Sequence, residues 1–353
     1  MAYLFGTGRA HTICLFISIA TGNLRHFTTA FVRKSVTTSS QRPSLLRGSN
    51  NLWSIEECLE QIDDIQFIDA TWYHKGDRNG RQEFLDGPRI PGSHYFDMSD
   101  IAASKEVFPE LNPKGLRTMF PPMSLFAATM DSMGIDPNKK VIVYARRGCW
   151  FTPRVWYTFK TYGQRDNVGL MQGSIEDWID QNGPVDTQKL EGYDLWAQDI
   201  MDKISGGPFT NNPRYPITKT AQRQLLTMEQ VLQELDSARK AEKPSRVVVD
   251  TRGSSFQKKG HIPGAIHIPY SSLVKPGNSL QLKEQKDLLD ILETNDIPKD
   301  EPILLTCGSG VSVCHMALVL EECGYPTPFI YDGSWNEWGS DPSTPKEFPN
   351  QHS

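Results

Sequence analysis

The chain is poor in the features that mark metal, nucleotide and membrane proteins. Its six cysteines, at positions 14, 58, 149, 307, 314 and 323 of 353, include no CxxC pair. Sparse, uneven thiols exclude a structural zinc site and a disulfide framework, so reduced thiols in an intracellular protein are expected. No run approaches the ~20 apolar residues that span a bilayer. No Walker sequence and no GxGxxG occurs, so no cofactor and no metal are expected. No acid precedes Glu56, whereas Arg9, Arg25, Arg33, Lys34, Arg42 and Arg47 fall in the same stretch among many Ser and Thr. That is transit-peptide composition. Residues 1–50 are accordingly expected to be a mitochondrial transit peptide, the alternative being a disordered tail on a cytoplasmic protein. The apolar core of a rival secretory signal, Ile13 to Ala20, is short. Setting those six charges aside from the net −5 leaves −11 on the remainder, which disfavours binding to a phosphate backbone.

What the chain does have is an internal repeat. Ser54-Ile55-Glu56-Glu57 and Thr227-Met228-Glu229-Gln230 are two capping boxes, each predicting a helix. Phe67-Ile68-Asp69 and Val247-Val248-Val249-Asp250 are apolar runs ending on Asp. Arg89-Ile90-Pro91-Gly92 matches His261-Ile262-Pro263-Gly264. Val141-Ile142-Val143-Tyr144 matches Ile303-Leu304-Leu305-Thr306. Gln172-Gly173-Ser174-Ile175-Glu176-Asp177-Trp178 matches Asp332-Gly333-Ser334-Trp335-Asn336-Glu337-Trp338. Five features in one order indicate a duplication. Strands alternating with helices predict an α/β fold of two tandem domains, each a mostly parallel sheet flanked by helices. The expected boundaries are 51–182 and 227–345. Between them 183–226, rich in Gly and Pro, reads as a linker with one helix over 193–204.

Cys307 follows the second central strand and precedes an apolar helix. Sites in such sheets lie beyond the carboxyl ends of strands. There the thiol meets free N–H groups and a helix amino end, both of which favour the thiolate. Gly308 and Gly310 let the backbone curl around it. A phosphatase would need an arginine after five intervening residues to grip phosphate. Val313 stands there after Cys307, and Val155 after Cys149. Asp69 and Asp250 read as turn caps, and Cys58, Cys314, Cys323, Trp335 and Trp338 as core. Cys149 reads as a loop thiol beside Arg146 and Arg147.

The paired halves, the IPG turn, CGSGVS and YDGSWNEWG resemble the tandem-domain rhodanese family, from Ser54 onward. Within it the chain is similar to 3-mercaptopyruvate and thiosulfate sulfurtransferases. The resemblance implies a sulfurtransferase in which Cys307 carries a persulfide, cradled by Gly308, Ser309, Gly310, Val311 and Ser312. Ala145 takes the matching place in the first half, which is then catalytically silent. The uncharged loop resembles the mercaptopyruvate type, in which the residue at Ser309 helps move protons. Arg252 and Lys258 are the expected substrate cations. Arg89, standing where the family places a histidine, is expected to add a third. Implied partners are a small sulfur donor and a thiol acceptor such as thioredoxin or glutathione, or cyanide. The alternative is a relay adaptor that takes persulfide from a cysteine desulfurase, or serves a sulfur-carrier protein, and feeds tRNA thiolation.

Overall fold

The computed structural model describes residues 51–74, 76, 78–162, 167–191, 215–216, 225–241 and 246–348. The expected leader at 1–50 and the expected helix over 193–204 lie outside the described residues.

In the first half the order is β1 (Leu52–Trp53), α1 (Ile55–Glu60), β2 (Ile65–Asp69), α2 (Gly80–Asp86), β3 (His94–Tyr95), α3 (Met123–Met133), β4 (Lys140–Ala145), α4 (Thr152–Tyr162), β5 (Val168–Ser174) and α5 (Ile175–Asp180). The second half runs β6 (Leu225–Leu226), α6 (Met228–Lys240), β7 (Val248–Asp250), α7 (Ser255–Lys259), β8 (Ile266–His267), β9 (Val274–Lys275), β10 (Asn278–Leu282), α8 (Gln285–Thr294), β11 (Leu304–Thr306), α9 (Val313–Glu322), β12 (Phe329–Tyr331) and α10 (Ser334–Trp338). Strand order is β1-β5-β4-β2-β3 in one sheet and β6-β12-β11-β7-β8 in the other. Every pairing within them is parallel. Matching elements occupy matching places, so the duplication read from the sequence is a duplication of topology.

Local chemistry explains both starts. Ser54 Oγ accepts from the Glu57 N–H (3.1 Å) while the Ser54 N–H donates to Glu57 Oε2 (2.8 Å). Thr227 and Gln230 repeat the arrangement for α6. Each satisfies two backbone donors that a helix start would leave orphaned. The middle strands β4 and β11 are apolar and buried almost throughout, as strands covered on both faces must be. Asp69 Oδ1 accepts from the Thr71 N–H and Asp250 Oδ1 from the Arg252 N–H, both at 2.9 Å, turning the chain at two strand ends.

The helices that follow the middle strands, α4 and α9, pack on each other. One apolar cluster runs through both, from Val155 and Phe159 to Met316 and Leu320. A β9–β10 hairpin, which no periodicity in the sequence announced, reaches from the second half to the first. Its Ser279 hydroxyl donates to Cys149 O (2.9 Å) and Gln281 Nε2 to Gln172 O (3.2 Å).

The expected linker is corrected in part. Asp186 and Arg89 exchange both backbone bonds, and the Leu190 N–H donates to Leu85 O (2.9 Å). Trp178 Nε1 donates to Pro184 O (2.9 Å), just as Trp338 Nε1 donates to Pro345 O (2.8 Å) in the second half. Residues 183–191 thus form a strap packed on the first half and not a free tether, while the Gly- and Pro-rich positions 206–208 and 211–213 lie outside the described residues. Further on, Tyr215 is buried, with its ring edge-on to Phe126 at 5.7 Å.

Candidate active site

Cys307 lies directly beyond β11, 1 % exposed, and its N–H donates to Ser334 Oγ (3.2 Å). Ser334 holds φ 51° and donates in turn to Tyr331 O (2.8 Å). A left-handed non-glycine residue costs about 1 kcal/mol or more, and such strain gathers at functional sites. Gly310 sits at φ +73°, where a Cβ would meet Asp332 O at 2.6 Å. Only glycine fits there.

The six residues from Cys307 to Ser312 are polarised as a ring, because every carbonyl has an outside donor. Cys307 O accepts from the Trp335 N–H (2.9 Å) and Gly308 O from the Asn336 N–H (2.8 Å). Ser309 O accepts from the Thr118 hydroxyl and Gly310 O from Arg154 Nη1, each at 2.7 Å. Val311 O and Ser312 O accept from the N–H groups of Cys314 and His315. Against this, the N–H groups of Gly308, Ser309, Gly310, Val311 and Ser312 have no acceptor among the described residues. Buried backbone donors are ordinarily paired. Five consecutive ones left open at a turn before a helix form a receptor for negative charge.

Two of those outside donors come from the first half of the chain. Arg154, on α4 and 2 % exposed, also donates to Thr118 O (2.7 Å), lies over the Phe120 ring at 3.1 Å and approaches Asp332 Oδ1 at 3.4 Å. Asp332 Oδ2 accepts from the Phe120 N–H (2.8 Å). Burial pushes the Asp332 carboxyl up from its ordinary range, while Arg154 and that N–H pull it back. These groups were missed in the sequence. The signal available was Arg154 itself: a cation amid Val155, Trp156 and Phe159 needs a buried partner. Val311 extends the contact, packing with Trp72, Cys149 and Phe151.

Ser309 is half-buried on the same loop as Cys307 and borders a cavity of about 60 Å³. The expected substrate cations are placed otherwise. Arg252 is corrected: its Nε and Nη2 embrace the Asp250 carboxylate, Nη2 donates to Gly260 O (2.8 Å), and the Trp335 ring covers it at 4.3 Å. The guanidinium is buried and bonded through Nε and Nη2, while its Nη1 is buried without a partner among the described residues. Arg89 is corrected too. It is 2 % exposed and donates to Phe84 O, Gln188 O and Asp186 Oδ2, tying down the strap of the first half. Lys258 is exposed in the last turn of α7 and bonds to no residue of the Cys307 loop.

Burial raises the other described thiols, Cys149 and Cys323 to about 11, Cys58 to about 12 and Cys314 beyond that, so all four stay protonated near neutrality. Arg146 and Arg147 do not activate Cys149, since Arg146 donates to Glu83 O and Pro88 O and Arg147 pairs with Asp177; the backbones of Phe151 and Trp72 and the charge of Arg78 pull its thiol down, but burial outweighs them. Among the described residues no group of His, Cys, Asp or Glu is placed to hold a metal, and no helix is long and apolar enough to cross a membrane.

Residues 231–341 match the rhodanese-like domain family. The chain is 31% identical over 294 residues to 3-mercaptopyruvate sulfurtransferase of Escherichia coli (strain K12), covering 82% of this chain and 94% of that protein. The chain belongs to the rhodanese family of sulfurtransferases. It is also 30% identical over 296 residues to thiosulfate/3-mercaptopyruvate sulfurtransferase 1, mitochondrial, of Arabidopsis thaliana, across 80% of this chain and 74% of that one. The crystal structure of Tum1 from Saccharomyces cerevisiae superposes with a TM-score of 0.66 at 25% identity, over 84% of this chain and 98% of that one. In rhodanese terms the first half holds Ala145 where the second holds Cys307.

Proposed function

We propose that this sulfurtransferase takes its sulfur from 3-mercaptopyruvate, with thiosulfate as a second donor, and holds it as a persulfide on Cys307. The thiolate attacks the donor's sulfur, forming an S–S bond. The donor's C–S bond breaks, and its electron pair goes to carbon as the enolate of pyruvate, which then gains a proton. Ser309, beside the cavity, is the candidate to pass that proton. The persulfide's outer sulfur carries the charge, and the open N–H groups of residues 308–312 receive it. An acceptor thiol such as thioredoxin or glutathione, or cyanide, then attacks that outer sulfur and restores the Cys307 thiolate. The observation that supports this is the polarised ring itself: carbonyls held outward, amide donors left unfilled.

The two steps share one site, so double-reciprocal plots at several acceptor concentrations should be parallel. Intersecting lines would mean donor and acceptor bind together and would exclude the free persulfide. Side-by-side turnover of free 3-mercaptopyruvate and thiosulfate tests the donor assignment. Negligible turnover of both, with persulfide still accepted from a cysteine desulfurase, would instead indicate the relay adaptor. We further propose that residues 1–50 direct the chain to the mitochondrion. Deleting them from a fluorescently tagged chain should leave it in the cytoplasm, and unchanged mitochondrial signal would refute the assignment.

A further inference from the structure

We propose that Arg117, seated on the indole of Trp72, is the anchor for the carboxylate of the sulfur donor. The proposal rests on the persulfide reading of Cys307 and adds the group that orients the substrate. Most arginines around the site are already committed. Arg89, Arg154 and Arg252 are buried and bonded, Arg146 is held by two carbonyls, and Arg78 and Arg81 pair with Glu83 and with Asp97 and Asp100. Arg117 is exposed and pairs with no carboxylate among the described residues. Its guanidinium carbon stands 5.1 Å from the centroid of the Trp72 ring. That ring is itself fixed, by a bond from Nε1 to Ser99 Oγ (2.8 Å) and by edge-on contact with Phe151 at 4.5 Å. A cation on an aromatic face keeps its planar donor fork presented outward for a carboxylate.

Position completes the case. The next residue, Thr118, is bonded to the Ser309 carbonyl (2.7 Å), so Arg117 is tied to the loop that carries Cys307. Arg117, Trp72, His74, Ser309 and Asn336 bound the cavity of about 60 Å³, several times the ~10–15 Å³ that one water requires. It admits a carboxylate. Trp72, His74 and Arg117 also line an open cleft of about 450 Å³, which gives the small cavity a way in from solvent. One carboxylate, Asp332, borders the cavity as well, but Phe120 and Arg154 hold both its oxygens. A donor of three carbons, bound at Arg117 by its carboxylate, directs the sulfur at its other end toward the loop. Bidentate pairing of this kind favours a carboxylate over a neutral group of the same size.

Two alkylating probes that differ in a single charge test this on the full chain. Iodoacetate carries a carboxylate and iodoacetamide does not, and mass spectrometry of the Cys307 peptide reads both rates. Replacing Arg117 by Gln should lower the iodoacetate-to-iodoacetamide rate ratio about tenfold or more and raise KM for 3-mercaptopyruvate by a similar factor, the loss expected for a hydrogen bond to a charged group. Arg117→Lys, which keeps charge but not the fork, should fall between. Arg147→Gln, at an exposed pair with Asp177, should leave the ratio as in the wild type. An unchanged ratio in Arg117→Gln overturns the anchor while leaving the persulfide reading intact. Failure of either probe to label Cys307 in the wild-type chain overturns the persulfide reading and the anchor with it.

Discussion

The loops after β4 and β11 occupy the same place in two copies of one fold and differ in what their backbone has left to offer. After β4 the Arg146 N–H donates to Thr71 Oγ1 (3.0 Å), the Arg147 N–H to Glu176 Oε2 (3.0 Å), the Cys149 N–H to Arg146 O (3.1 Å) and the Phe151 N–H to Cys149 Sγ (3.5 Å). Side chains of its own half take the first two N–H groups of the turn. After β11 the counterpart of Glu176 is Asn336, whose N–H goes to a carbonyl instead. The counterpart of Thr71 is Arg252, whose side chain is committed to Asp250 and Gly260, and the neighbouring Thr251 turns to the Ser312 hydroxyl (2.9 Å). The amide donors after β11 stay open. The first copy therefore differs from the second both at Ala145, which carries no thiol, and in a turn whose first two N–H groups are already bonded.

The two helices that begin beyond these loops sharpen the contrast. Their third residues are Arg154 on α4 and His315 on α9. Arg154 crosses to the other copy and holds its loop. His315 is buried near Tyr270 and Trp150, and burial lowers it to about 4. The first copy thus supplies a clamp and the second a buried imidazole.

Four predictions would break or sharpen this comparison. The largest concerns the nucleophile: Cys307→Ser should lower sulfur transfer by about a thousandfold or more. Adding Ala145→Cys to that variant should restore nothing, because the first donors after Ala145, the N–H groups of Arg146 and Arg147, are already taken by Thr71 and Glu176. Recovery of turnover would show that the receptor is dispensable. Next, Arg154→Met leaves Asp332 and the Gly310 carbonyl buried without their cation, which should cost about 3–5 kcal/mol in urea unfolding. Transfer should fall with it. Loss of less than about 1 kcal/mol would mean that the clamp is ornamental to the fold.

The third prediction separates the helices by pH. An imidazole at about 4 when folded and near 6.5 when unfolded binds fewer protons in the folded state between those values. Stability should then fall as pH drops from about 6.5 toward 4, by up to about 3 kcal/mol from this residue. His315→Phe should lose less over the same window. Burial raises Asp69 to about 6, which acts in the opposite sense, but it is common to both chains, so the difference between them isolates His315. Parallel stability curves would contradict the assignment. The smallest effect compares two glycines at positive φ. Gly310→Ala meets backbone and should cost about 1–3 kcal/mol and most of the activity. Gly148→Ala, at φ +86° against the flexible end of Arg78 (3.3 Å), should cost stability with little effect on transfer.

Much of this was legible in the sequence, because the information was periodic or repeated. Two capping boxes, two strand-end aspartates and two DGS-type or QGS-type turns marked the topology twice over, and CGSGVS following β11 pointed to the loop proposed to carry the nucleophile. Groups whose roles depend on distant partners were hidden. Arg252 and Arg89 stand at sites where an anion would be expected to arrive, yet each has a partner eight or more residues away that no local pattern reveals. Thr118 and Arg154 lie 191 and 156 residues from the carbonyls they hold. The strap that closes the first half was disguised as linker because Gly183-Pro184 looks the same in a tether and in a tight return.

The central claim is that the ring after β11 holds a second sulfur on Cys307. Incubating the full chain with 3-mercaptopyruvate, removing excess donor and analysing the Cys307 peptide by mass spectrometry tests it most directly. The account predicts a peptide heavier by one sulfur atom, returning to its original mass on addition of cyanide. A Cys307 peptide that stays unmodified while the same sample turns over donor and acceptor would contradict it.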